Sequence, residues 1–91
     1  QAVARKLRCL GREVQVICIT HLPLIAAEAD RHFLIEKSLQ AGRTVSGIRQ
    51  LDEEETVREL ARMISGDVIS ESVLENARQM RDAAAKEKRD Q

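Results

Sequence analysis

A chain of 91 residues makes one small domain at most and buries only about two-thirds of the surface its unfolded form exposes, so its stability margin is thin. Fifteen basic residues offset fifteen acidic ones, which excludes a net field drawing the chain to DNA or anionic lipid; any nucleic-acid contact needs a local patch. Phe33 is the only aromatic, which excludes base stacking, while 43% hydrophobic residues argue against disorder and one-third charged residues suit a helix-rich protein.

In chain order, Val3, Leu7 and Leu10 recur at helical spacing, with Arg5, Lys6, Arg8 and Arg12 on the remaining surface and Gly11 placed to end the helix. Val14 to Ile19 follows as VQVICI, almost continuously apolar and rich in β-branched residues, which predicts a strand buried on both faces, as in a parallel sheet. Cys9 and Cys18 lie within these apolar segments, where a thiol behaves as a small hydrophobe, and this usage fits a reducing cytoplasm. The longest apolar run, Val16 to Ile19, is far too short to span a bilayer, and no basic-then-apolar leader is present.

Pro23, with its fixed φ and missing N–H, suits the first turn of a short helix expected over Pro23 to Ala29. Alternation in His32 to Leu39 (Phe33, Ile35 and Leu39 against His32, Glu36 and Ser38) and in Arg43 to Leu51, about a turn at Ala41 and Gly42, predicts a β-hairpin. Asp52 then opens a helix as N-cap, with Glu55 completing a capping box and Val57, Leu60, Ala61 and Ile64 forming an apolar stripe before Gly66. Ser70 or Ser72 caps a last helix with the stripe Val73, Ala77, Met80 and Ala84, beyond which AKEKRDQ is expected to fray. The fold class is therefore α/β, but one buried strand and a hairpin cannot cover their own faces and edges. Together with a first residue, Gln1, that is not methionine, this leads us to expect a partial domain: helix, strand and loop over residues 1–22, short helix and hairpin over 23–51, and C-terminal helices over 52–91.

VQVICITHLP, Val14 to Pro23, carries the most chemistry. In open α/β sheets ligands gather outside the carboxyl ends of strands, so His21, directly after the expected strand, faces the region of a nucleotide, and imidazole accepts a proton or hydrogen-bonds a phosphate oxygen near neutral pH. The alternative from spacing alone is that His21 bonds a neighbouring carbonyl.

The stretch QVICITHLPLIAAEADRHFLIEK, Gln15 to Lys37, resembles the segment around the switch histidine of the RecN family, relatives of the SMC-type ABC ATPases. RKLRCLG before it resembles the helix after that family's D-loop, and LDEEETVRELARMISG, Leu51 to Gly66, the stretch after its hairpin, so the resemblance covers nearly the whole chain. ABC transporters share a histidine in this position, but the downstream hairpin and helices favour the RecN family. Leu24 stands where the family pattern more often has glutamine.

The resemblance implies the C-terminal segment of an ABC-type P-loop ATPase head. His21 would be its catalytic and nucleotide-sensing switch-loop residue, helping to hold the attacking water, with Thr20 beside it at the nucleotide. ATP and Mg²⁺ are the implied cofactors of the whole protein, which is expected to pair its heads as a homodimer and act on DNA in double-strand break repair and recombination, in the bacterial cytoplasm at the nucleoid. The chain itself has no G-x-x-x-x-G-K-[ST] loop, no apolar strand ending in Asp-Glu and no signature segment. The acidic run Asp52 to Glu55 follows a polar stretch and reads as helix capping. Alone, the chain is expected to be inactive.

Other features read more plainly. Cys18 and His21 have a metal-ligand spacing, but an offset of three along a strand puts them on opposite faces. The Arg5, Lys6, Arg8 and Arg12 face reads as solvated, with contact to DNA phosphate as the alternative, and His32 reads as a surface residue opening a strand. The last helix packs back on the domain or binds a partner. The rival overall reading is a small non-catalytic interaction module using a strand edge or the last helix.

Overall fold

The computed structural model describes residues 2–89. The order is α1 (Ala2–Gly11), α2 (Pro23–Ala27), β1 (His32–Gln40), β2 (Arg43–Leu51), α3 (Glu53–Ser65) and α4 (Glu71–Arg89). The described residues are thus mixed helix and strand, and their sheet is one two-stranded antiparallel hairpin. No helix among the described residues is long and apolar enough to cross a membrane.

The core forms where α2, α3 and α4 meet: Ala27, Val57, Leu60, Ala61 and Ala77 are buried, with Met63, Ile64, Val73, Leu74 and Met80 packed around them. Ala61 and Ala77 are both fully inaccessible, and side chains that small let two helix backbones approach closely. Helix α3 starts as its sequence dictates. The Asp52 carboxylate accepts from the Glu55 N–H at 2.8 Å, and the Asp52 N–H donates to the Glu55 side chain at 3.1 Å, so two otherwise orphaned donors are satisfied at once. Gly66, at φ 79°, ends it, its N–H donating to the Arg62 carbonyl. Ser70, not Ser72, caps α4 by accepting from the Val73 N–H.

The hairpin register pairs His32 with Leu51 and Gln40 with Arg43. Ala41 and Gly42 both have positive φ, 52° and 77°, as a two-residue primed turn requires to match strand twist. Leu51, at the hairpin's base, is buried beside the helices. Side-chain alternation therefore points the opposite set, Phe33, Ile35, Leu39 and Ile48, outward, and all four are exposed.

Several expectations are corrected. The expected buried strand Val14–Ile19 does not form: no strand is assigned there, and Ile17 and Ile19 are 82% and 88% exposed. A strand is completed only by neighbours that take its hydrogen bonds and cover its faces, and among the described residues the only paired strands are committed to each other. Cys18, in the same segment, is exposed, as is Cys9, so neither thiol acts as a packed hydrophobe. On α1 the expected stripe is displaced: Val3 and Leu10 are exposed while Ala4 is buried. Helix α2 ends at Ala27 rather than Ala29. AKEKR continues α4 as helix to Arg89 instead of fraying, whereas Asp90 and Gln91 lie outside the described residues.

Candidate functional site

His21 sits in the short connection between the irregular stretch 15–20 and α2, and its side chain is exposed. Two neighbours shape this turn. The Thr20 hydroxyl accepts from the Leu22 N–H at 3.0 Å, a local side-chain bond that closes the backbone around His21. Pro23 then occupies the first turn of α2, where its fixed φ suits the helix and no N–H is needed. The His21 ring has no hydrogen bond among the described residues, so the local-carbonyl alternative is not realised and the imidazole is presented to the outside. Thr20, partly exposed, already uses its oxygen as an acceptor and keeps its O–H to donate.

At the C-terminal end of α2 lies a set of ion pairs and hydrogen bonds that sequence reasoning did not predict. Arg81 of α4 donates from Nη1 to the carbonyls of Ala27 (2.7 Å) and Ala29 (2.8 Å), and its Nε and Nη2 grip the Glu53 carboxylate at 3.1 and 2.8 Å. One planar guanidinium thereby joins α4, the C-terminal end of α2 and the first turn of α3. The contact holds the Glu53 carboxyl below the usual carboxylate range. Arg8 of α1, whose side chain is only 5% exposed, bridges Glu28 (3.0 Å) and Glu87 (2.6 Å), and these carboxylates raise its pKa. Lys88 reaches Asp30 at 2.8 Å and lowers its pKa.

His32 is half-buried, not an idle surface residue. Its Nε2 donates to the Ala26 carbonyl; a carbonyl can only accept, so the bonded ring carries its proton there. Burial is the main influence lowering its pKa, and Arg81 adds to it. The basic surface expected on α1 is also interrupted, because Arg8 turns inward and Arg5 lies 3.9 Å from Glu87.

Arg81 was detectable in principle: it falls between Ala77 and Ala84, four and three residues away on the same apolar stripe of α4, where a cation requires a partner. Arg8 is likewise four residues after the buried Ala4. Their partners were not legible, being contributed from 20 to 79 residues away.

As to ligands, the described residues contain no group of three or more His, Cys, Asp or Glu able to hold a metal ion, and Asp52, Glu53 and Glu55 are engaged in capping and ion pairs. The exposed His21 imidazole and the partly exposed Thr20 hydroxyl are each able to hydrogen-bond an external group.

Curated relatives decide the family. The chain is 44% identical over 84 residues to the DNA repair protein RecN of Halalkalibacterium halodurans, covering 92% of this chain and 15% of that protein. It is 43% identical over 82 residues to the RecN of Streptomyces coelicolor, covering 90% and 14%, and 40% identical over 80 residues to that of Bacillus subtilis, covering 88% and 14%. The chain belongs to the RecN family. It matches the C-terminal portion of RecN and spans about 15% of the length of the curated relatives it matches. No family model matches the chain.

Proposed function

We propose that this chain is the C-terminal segment of the ATPase head of a RecN-type DNA repair protein and that it contributes the switch-loop histidine, His21. The observation carrying this reading is the exposed imidazole of THLP, without a hydrogen bond among the described residues, directly after the apolar stretch Val14–Ile19 in a chain 38 to 47% identical to RecN proteins. Val14–Ile19, exposed here, becomes a buried strand when the rest of the head supplies its neighbours, and His21 then stands at the carboxyl end of a sheet strand where nucleotides bind. There the ring orients the attacking water and hydrogen-bonds the terminal phosphate, while the Thr20 hydroxyl shapes the turn and donates to phosphate oxygen. ATP supplies the bond to be broken; the phosphate cradle and the Mg²⁺ ligands come from elsewhere in the polypeptide. Head-to-head pairing around ATP, work on DNA in break repair and recombination, and a place at the nucleoid in the cytoplasm belong to the same proposal.

The test is His21→Ala in the full-length protein, with steady-state ATPase kinetics beside direct ATP binding. Turnover should fall by about 100-fold or more with ATP affinity changed less than about threefold, the pattern of a group acting in the transition state. Equal losses in both would remove His21 from the phosphate. The competing reading, a free-standing interaction module, draws on the same exposed apolar surface; it requires the isolated chain to be a monomer with one cooperative melt, whereas a head segment with an uncovered strand self-associates.

A further inference from the structure

The five residues following Ile25 are held at almost every position by side chains from outside α2. The Ala26 carbonyl accepts from His32, the Ala27 and Ala29 carbonyls accept from Arg81, Glu28 is paired with Arg8, and Asp30 is paired with Lys88. All but the His32 contact trace to α4, since Arg81 and Lys88 belong to it and Arg8 is itself held by its Glu87. Toward its other end, α2 is linked to the His21 loop by hydrogen bonds. The Ala26 N–H donates to the Leu22 carbonyl at 3.1 Å, and the Leu22 N–H donates to Thr20. A five-residue helix with no side-chain cap at its N-terminus has little stability of its own, so its placement is set by what grips its far end.

We infer that Arg81, by gripping the end of α2 and the first turn of α3 together, is a positioning residue that sets where the His21 loop stands. This inference rests on the switch-loop role proposed for His21. Arg81 is suited to it because a guanidinium delivers several donors in one fixed plane: two hydrogen bonds to Glu53 anchor it to α3, and two to backbone carbonyls must break before the end of α2 can shift. Arg81 touches no reacting atom. Its effect must pass through His21, and that dependence separates positioning from general structural support.

The experiment uses the full-length protein with Arg81→Gln, His21→Ala and the double variant, following kcat, the KM for ATP and the binding of a non-hydrolysable ATP analogue. Arg81→Gln should lower kcat by about tenfold with KM and analogue binding unchanged, since displacing a catalytic group by about 1 Å costs on the order of 10- to 100-fold. On the His21→Ala background the same substitution should cost less than about twofold, because the group it positions is already gone. Arg81→Lys should recover part of the loss, keeping one donor and the charge but not the fork. Unchanged kcat in Arg81→Gln, or the same fold-loss in both backgrounds, overturns the inference. If His21→Ala alone leaves kcat intact, it is the switch-loop reading that fails. Should Arg81→Gln fail to fold, Glu53→Ala, at an exposed carboxylate, releases one side of the grip. It should lower kcat by about twofold or more, again only when His21 is present; no change in kcat overturns the inference.

Discussion

Leu60 is the largest fully buried side chain among the described residues, 1% exposed and seated where α2, α3 and α4 converge. Leu60→Ala removes three carbons, a transfer loss of about 2.4 kcal/mol at roughly 0.8 kcal/mol each. A cavity cost is added because the buried residues around it include Ala27, Ala61 and Ala77, and alanines have no side chain able to swing into the void. The total should come to about 3 to 4 kcal/mol, within the usual Leu→Ala range. For 91 residues the whole stability is about 5 to 14 kcal/mol, so the variant stands close to its unfolding threshold, and Tm should drop by at least about 12 °C. With no Trp or Tyr in the chain, urea titration followed by far-ultraviolet circular dichroism is the appropriate assay. Ile17→Ala, at a side chain 82% exposed, is the control and, in the isolated chain at concentrations dilute enough to keep it monomeric, should change stability by less than about 0.5 kcal/mol. A Leu60→Ala loss below about 1 kcal/mol, or an Ile17→Ala loss of equal size, would refute this placement of the core.

His32 predicts a specific pH dependence. Its folded pKa lies below the ordinary value of 6.5, so the unfolded chain binds the proton more readily; its contribution is complete above about pH 6.5 and declines as pH falls through the folded pKa. Asp30, Glu53, Glu55 and Glu87 are also held low, but their contributions begin to fade only near their ordinary values of 3.8 to 4.5. Denaturant midpoints between pH 7 and 5 should therefore fall in the native chain and stay flat in His32→Gln; parallel slopes would show that another group titrates. Asp52→Ala removes the cap at Glu55 and should cost about 1 kcal/mol in the same urea assay, whereas Gly42→Val, forcing a β-branched side chain to φ 77°, should cost about 1 to 2 kcal/mol and loosen the hairpin.

Features whose causes are local were legible in the sequence. The Asp52–Glu55 capping box, the Gly66 stop, the two-residue turn at Ala41 and Gly42 and the stripe of α3 each involve residues no more than a few positions apart. The hairpin was legible as an element, whereas the alternation carries no information on which way its apolar face points. Alternation marks Phe33, Ile35 and Leu39 as one side, yet only the docking of Leu51 beside α3 decides which side faces the helices. The partial burial of Met80 on the expected α4 stripe was likewise legible, while Arg81 beside it was passed over because a cation is read by default as solvated.

His21 was singled out as a candidate from its chain position, after an apolar run and before Pro23, and sequence alone is sufficient to place it in a loop. Its surroundings required the fold. Arg8, Arg81 and Lys88 meet Glu28, the Ala27 and Ala29 carbonyls and Asp30 across separations of 20 to 58 residues, and nothing in the local pattern encodes such pairings. Helix caps, turns and periodic stripes arise from short-range sterics and hydrogen bonding, so the chain by itself determined them. Which face is buried, which cation is gripped and whether VQVICI becomes a strand depend on neighbours distant in sequence. Those outcomes only the tertiary structure decides, because burial and β-pairing are properties of surfaces brought together rather than of segments.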